Sequence, residues 1–190
     1  MIDLDLNSIT PQYLKKVSLS FPLIGKGVDG NVYKLTPQCC IKLYNRTKDA
    51  EAETEAYRRA QESSIIPKLY HSGSTHIIIE FIEGISLDRY LPREGYVSYS
   101  MAGKILFLLN ETRRLGFSRQ DAALRHMILD KQDNLKLIDL VHSYVYNEPK
   151  PVRLFNDLKV FRLLDSFLEQ VKAQDLATYR DWKKTLSKIF

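Results

Sequence analysis

Residues Ile24–Leu35 read IGKGVDGNVYKL. Gly25, Gly27 and Gly30 stand in the spacing G-x-G-x-x-G, a pattern of backbone held close to phosphate. Three arrangements can carry it: a strand-to-helix turn that binds a dinucleotide, a hairpin that covers phosphates, and a hairpin with no ligand. The residues after the glycines separate the first from the other two. A dinucleotide loop opens a helix. Here NVYKL is succeeded by the turn Thr36-Pro37-Gln38 and then by CCIKLY. These β-branched and apolar residues predict antiparallel strands over Asn31–Leu35 and Cys39–Tyr44.

The second of those strands carries Lys42. The next segment, DAEAETEAYRRAQ over 49–61, has a helical pattern and offers Glu51, Glu53 and Glu55. Glu53 shares a face with Ala50, Ala56, Tyr57 and Ala60 at helical offsets. That is the only apolar face, so it points inward. Glu55 falls with Glu51, Arg58 and Arg59 on the solvated side. An inward carboxylate needs a partner, and Lys42 is the candidate. The alternative is a Glu53 at the edge of the face, simply exposed.

Further along, Val17–Ile24 reads as a strand, and His76–Ile82 is a continuous apolar run of strand length. Glu83-Gly84 breaks that run. Ser86 is placed to cap a helix beginning LDRYL. Ser100–Leu115 carries a wide apolar stripe and is expected to be a buried helix. Met127–Leu129 and Leu135–Ile138 are short strands around DKQDN, and the pattern is helical from Leu154 onward. Phe155, Leu158, Phe161, Leu164, Phe167 and Leu168 there read as core packing, with a partner groove as the alternative. The shift in character near Gly84 predicts a boundary between 1–84 and 85–190.

The 190 residues are 44% hydrophobic and 27% charged, an ordinary globular composition. No apolar run approaches the roughly 18 residues of a membrane span. The start MIDLDLNSIT has acids where a secretory signal has bases. Cys39 and Cys40 are adjacent and point to opposite faces of a strand, which suits neither a disulfide nor a metal pair. Reduced thiols in a cytoplasmic protein are the expectation. A net charge of +5 is mild, and no zinc-knuckle or aromatic RNA-binding signature points to nucleic acid. His71, His76, His126 and His142 show no metal-motif spacing.

Taken in order, these features resemble the protein kinase-like fold. IGKGVDGNVYKL looks like the glycine-rich loop and CCIK is similar to V-A-I-K. EFIEGISLDRYL looks like a hinge and the first helix of the larger lobe. GFSRQDAALRHMIL resembles the catalytic loop H-R-D-L-x-x-x-N, and LKLIDLV resembles the strand that ends in D-F-G. The resemblance spans about residues 17–145, and the size is similar to compact bacterial kinase-like proteins and RIO-type atypical kinases. It implies an α+β, bilobal fold with a small antiparallel sheet in the first lobe and a shortened helical second lobe. It also implies ATP with Mg²⁺ or Mn²⁺, and a hydroxyl-bearing acceptor, by analogy a serine or threonine on protein.

The resemblance assigns roles by position. Gly25, Gly27 and Gly30 match the loop glycines, Lys42 the phosphate lysine and Glu53 its partner. Backbone groups around Glu80 and Ile82 would meet an adenine edge, with Ile79 behind the ring and Val32 and Cys40 above it. Asp121 matches the catalytic aspartate and Asp139 the metal-binding aspartate.

Three departures qualify it. Arg119 and Gln120 stand for the His and Arg of H-R-D, and Leu140 and Val141 for the Phe and Gly of D-F-G. His126 occupies the place of the asparagine that binds a second metal. Imidazole suits softer ions than Mg²⁺, so Mn²⁺ is expected to serve as well or better. The alternative is that His126 only bonds within its loop. No A-P-E appears after Asp139, so the peptide platform is reduced or replaced. Two other functions stay open: a nucleotide-binding module that transfers nothing, and a small-molecule kinase similar in fold to aminoglycoside or choline kinases.

Overall fold

The computed structural model describes residues 9–120 and 122–189. Met1–Ser8, Asp121 and Phe190 lie outside the described residues. The structure is α+β, with an antiparallel sheet and several helices, an architecture compatible with a small kinase-like fold. Two compact units meet in sequence between Ile82 and Glu83. Among the described residues, no helix is long and apolar enough to cross a membrane.

The first unit opens with helix α1 (Pro11–Ser20). The expected strand over Val17–Ile24 is corrected here. Thr10 caps the Tyr13 amide at 3.2 Å, and Pro11 occupies the first turn, where a missing N–H costs nothing. The alternation Val17, Leu19, Phe21, Leu23 imitates a strand, yet Leu19 is 87% exposed while Val17 is buried. The chain becomes extended only at Phe21.

Strands β1 (Leu23–Lys26), β2 (Gly30–Lys34), β3 (Cys39–Tyr44), β4 (Leu69–Ser72) and β5 (His76–Glu80) form a sheet in the order β1-β2-β3-β5-β4, all neighbours antiparallel. The turn before β3 is held by the Thr36 hydroxyl, which accepts from the Gln38 and Cys39 amides. Helix α2 (Thr47–Ala60) comes after β3. Strand β4 has no clear sequence signature, because it is a four-residue edge strand with an irregular register.

The register sorts side chains onto two faces. Tyr33, Ile41 and Ile78 lie in one cross-strand row. With Leu35 and Cys39 they pack around Val17 of α1. Val32, Lys42 and Ile77 form the row on the opposite face, where α2 supplies Glu53.

At the far end of β5, His76 is buried and neither ring nitrogen has a hydrogen bond. It stacks on His71 with ring centroids 5.3 Å apart. Burial, and then His71, lower the His76 pKa from 6.5. A depressed folded value means that the neutral ring's contribution is complete above the unfolded pKa of about 6.5 and is lost as pH falls through the folded value. The melting temperature is therefore expected to fall below pH 6.5 more steeply in the wild type than in His76→Phe. Equal slopes would show that His76 is protonated at no cost.

The second unit begins with β6 (Gly84–Ser86), which pairs with β7 (Met127–Asp130), itself paired with β8 (Leu135–Leu137), all antiparallel. Gly84, a break in the sequence pattern, is instead the first residue of a short strand, and a Cβ there would meet the Leu129 carbonyl oxygen at 2.2 Å. Ser86 does stand at the N-cap of α3 (Leu87–Glu94), but its side chain makes no capping bond. Helix α4 (Tyr99–Arg114) starts from Ser98, whose hydroxyl accepts from the Met101 amide, and its wide apolar stripe is buried.

The helical tail resolves into α5 (Val152–Val160), α6 (Leu164–Gln174) and α7 (Leu176–Ile189). It breaks at Arg162, which has a left-handed φ of 60°, and at Asp175. Phe155, Leu158, Phe167 and Leu168 are buried, as the core reading required, whereas Phe161 and Leu164 are only half-buried where the helix breaks. Trp182 of α7 packs on Phe155 and Phe167, with centroids 5.2 and 5.9 Å away.

Candidate functional site

The sheet register alone brings several of the sequence-selected residues together. Gly25 lies opposite Val32, and Val32 opposite Lys42. The next row on the same face holds Lys34, Cys40 and Ile79. Gly25, Val32, Cys40, Lys42 and Ile79 therefore share one face. Cys40 is buried, and burial together with the neighbouring Cys39 pushes its pKa up to about 12. It offers this face a neutral, apolar group rather than a nucleophile.

Helix α2 completes the face. Ala50, Ala56, Tyr57 and Ala60 are all buried, and Glu53, on the same helical stripe, is 1% exposed. Its Oε2 lies 2.6 Å from Lys42 Nζ. Lys42 is itself 8% exposed, so the charges are almost fully desolvated and hold one another in place. Glu55, on the solvated side of the helix, pairs instead with Arg59 at the surface, 2.6 Å apart. Such exposed pairs contribute little.

Sequence reasoning missed a third member of this group. Tyr44 is buried two residues beyond Lys42 on β3, and its hydroxyl donates to the same Glu53 Oε2 at 2.6 Å. Alternation along the strand was a signal that could have found it, because residues 42 and 44 face the same way.

The glycine-rich segment is a hairpin, as its strand chemistry required. The Gly27 amide donates to the Gly30 carbonyl at 2.9 Å. The tip is fastened to the end of β3: the Asn45 amide donates to Asp29 O and its side-chain Nδ2 to Val28 O, each at 2.9 Å. Arg46 pairs with Asp29 at 3.5 Å.

The three glycines are not equivalent. A Cβ on Gly30 would meet the Leu43 carbonyl oxygen at 2.0 Å, whereas Gly25 and Gly27 have nothing closer than 3.5 and 3.7 Å. Folding needs glycine at 30 and leaves 25 and 27 unexplained. Gly30→Ala is expected to cost about 1–3 kcal/mol of stability, as overpacking does. Gly27→Ala is expected to melt like the wild type and to lose only ligand affinity. A large melting loss in Gly27→Ala would contradict this division.

Glu80 sits at the end of β5, opposite Cys39, so its side chain lies on the face away from Lys42. Its carboxylate accepts from the Lys68 amide at 3.1 Å, and its own amide donates to Lys68 O at 2.8 Å. The Phe81 amide is taken by Gln38 O at 2.8 Å. Any part Glu80 plays toward a ligand on the Lys42 face therefore falls to its backbone.

In the second unit, the β7–β8 hairpin brings two selected residues together. The Ile138 amide donates to His126 O at 3.0 Å, and His126 Nε2 lies 3.2 Å from Asp139 Oδ2. Arg125 Nε lies 3.1 Å from the same His126 nitrogen. Asp139 has a φ of 65°, a conformation costly for a non-glycine residue. Leu140 and Val141, which replace the Phe and Gly of D-F-G, are buried.

Two donors on adjacent vertices of an octahedron around a metal at about 2.1 Å stand about 3 Å apart. The oxygen–nitrogen separation matches that spacing, but the Nε2 lone pair a cation would use accepts from Arg125 Nε at 3.1 Å here, so a shared cation requires Arg125 to turn away. Among the described residues, no group of three or more His, Cys, Asp or Glu is placed to hold a metal. Asp121 lies outside the described residues.

Its described neighbours on either side are hydrogen-bonded to the rest of the unit. Gln120 is buried, accepts from the Thr112 hydroxyl at 3.2 Å and donates to Phe117 O at 2.9 Å. Arg119 pairs with Glu148 at 3.2 Å. Asp157 of α5, also missed, accepts the Leu124 amide at 2.9 Å. It is a positioning residue for the turn Leu124–His126, and its 33-residue separation from Leu124 left no local signal.

No family model matches the chain. Over 151 residues, 77% of this chain and 69% of the other protein, it is 27% identical to a Bacillus subtilis (strain 168) protein named "Putative serine/threonine-protein kinase YrzF". That likeness supports a kinase-like relationship at the family level.

Proposed function

We propose that this chain is an ATP-dependent phosphotransferase of the kinase type, passing a γ-phosphate to a hydroxyl. The observation that carries the reading is the buried Lys42–Glu53 pair, 2.6 Å apart, on the face shared with Gly25, Val32 and Cys40. A buried ion pair stabilises a fold no better than apolar residues of the same volume. A fold has no need of one here, whereas a site that must present an ammonium group to an anion does.

In this reading Glu53 directs Lys42, whose other N–H groups meet phosphate oxygens. Val32, Cys40 and Ile79 pack against an apolar ring, and backbone groups around Glu80 and Ile82 meet its edge. Asp139, with His126 beside it, would hold the metal. Bound Mg²⁺ or Mn²⁺ would neutralise charge on the β- and γ-phosphates. Asp121, by its position in the motif, orients the acceptor hydroxyl and takes its proton. The acceptor is a serine or threonine of a protein in the cytoplasm, by analogy with the kinase-like fold and the relative's name.

A second reading, a nucleotide-binding module without transfer, is favoured by one observation. His126 Nε2 is already held at 3.2 Å from Asp139 and 3.1 Å from Arg125, where the motif has asparagine. Transfer from γ-labelled ATP to protein and metabolite acceptors, with Mg²⁺ or Mn²⁺, decides between them. We expect the wild type to label protein, and Asp121→Asn to bind ATP and label nothing. ATP binding by a wild type that labels no acceptor with either metal would select the module instead.

A further inference from the structure

We propose that Tyr44 is a positioning residue for phosphate binding, a second anchor for Glu53 that does not depend on Lys42. The proposal rests on the nucleotide reading above. Glu53 Oε2 accepts from both Lys42 Nζ and the Tyr44 hydroxyl, each at 2.6 Å. One carboxylate oxygen has lone pairs for both. An O–H···O⁻ bond of this length is charge-assisted and strong. Lys42 Nζ also lies 5.0 Å from the centroid of the Tyr44 ring, within reach of a cation–π attraction. Tyr44 thus touches both members of the pair, and all three groups are buried.

An ammonium has three N–H donors, and any that turn toward phosphate weaken its hold on the carboxylate. Glu53 lies on a helix and would then be secured to the sheet by less. Tyr44 is on the same strand and face as Lys42, and its bond to Glu53 involves no ligand. It keeps α2 fastened to β3 while Lys42 engages an anion. It also offsets the cost of a desolvated carboxylate whose cation is shared.

The test uses the full chain and four proteins: wild type, Tyr44→Phe, Glu53→Gln and the double variant. Phenylalanine keeps the ring under Lys42 and removes only the hydroxyl. ATP affinity is measured by calorimetry and unliganded stability by thermal melting. Tyr44→Phe is expected to weaken ATP about tenfold, the size of one hydrogen bond to a charged group. In the Glu53→Gln background the same change is expected to cost less than about twofold, because the carboxylate charge that strengthens the bond and directs Lys42 is gone, leaving only a neutral amide oxygen to accept the hydroxyl. Equal affinity in wild type and Tyr44→Phe would overturn the proposal, even with a lowered melting temperature. So would the same tenfold loss in both backgrounds, which would mark Tyr44 as acting outside the pair. A wild type that binds no ATP removes the nucleotide reading and this proposal together; binding that is intact in Tyr44→Phe removes this proposal alone.

Discussion

Replacing Lys42 with methionine is expected to destabilise the protein by about 3–5 kcal/mol, the cost of leaving a buried carboxylate without its cation. For a chain of this size that is a fall in melting temperature of roughly 6–20 °C. Glu53 is 1% exposed, and its Oε2 is 2.6 Å from Lys42 Nζ, so water cannot replace the lost charge. The Tyr44 hydroxyl remains on Glu53, which places the expectation toward the lower end of that range. Lys42→Met combined with Glu53→Gln removes both charges and is expected to recover most of the loss. Denaturant unfolding of the three proteins checks this. Near-wild-type stability of Lys42→Met would mean that the pair is solvated in solution. Recovery of stability in the double variant without recovery of ATP binding is the signature of a pair kept for function.

Asp139→Asn is expected to separate folding from chemistry in the opposite direction. Asparagine tolerates the left-handed φ of 65° found at this position. It also keeps the shape of the side chain beside His126. Stability is therefore expected to stay within about 0.5 kcal/mol of wild type. Turnover should fall by about 10²–10³ or more, the effect of removing one preorganised electrostatic group. His126 Nε2 lies 3.2 Å from the Asp139 carboxylate, so the wild type should turn over at least as fast with Mn²⁺ as with Mg²⁺. More than a tenth of wild-type turnover in Asp139→Asn would remove Asp139 from the metal site. Slower turnover with Mn²⁺ than with Mg²⁺ would remove His126 alone.

The parts of this site that could be read in the sequence are those fixed by local periodicity. Glu53 was separable from Glu51 and Glu55 because helical offsets tie it to Ala50, Ala56, Tyr57 and Ala60, and the structure buries all five. The hairpin over Gly25–Gly30 was readable from the strand residues that come after it. The meeting of His126 and Asp139 was implied by the pairing of β7 with β8 around a polar turn.

What escaped depends on other interactions. The strand-like alternation around Val17 hid α1, although Thr10-Pro11 carried a helix-start signal. Strands β4 and β6 are short, and β6 is defined by a partner distant in sequence. Asp157 reaches Leu124 through tertiary packing, and nothing in the sequence near either residue announces it. The glycine motif suggested three equal positions, yet backbone approach alone distinguishes Gly30 from Gly25 and Gly27.

The Lys42 face is proposed to serve a nucleotide, and the Asp139–His126 pair of the second unit a metal ion. The most direct test is the melting temperature of the wild type with ATP and Mg²⁺ or Mn²⁺, read against ATP alone and against Asp139→Asn. At a hundredfold excess over Kd, a specific site stabilises the folded chain by about 2.7 kcal/mol, roughly 5–11 °C at this size. We predict that rise for the wild type with metal and a much smaller one for Asp139→Asn. A wild type whose melting temperature does not move under any of these conditions would contradict the account.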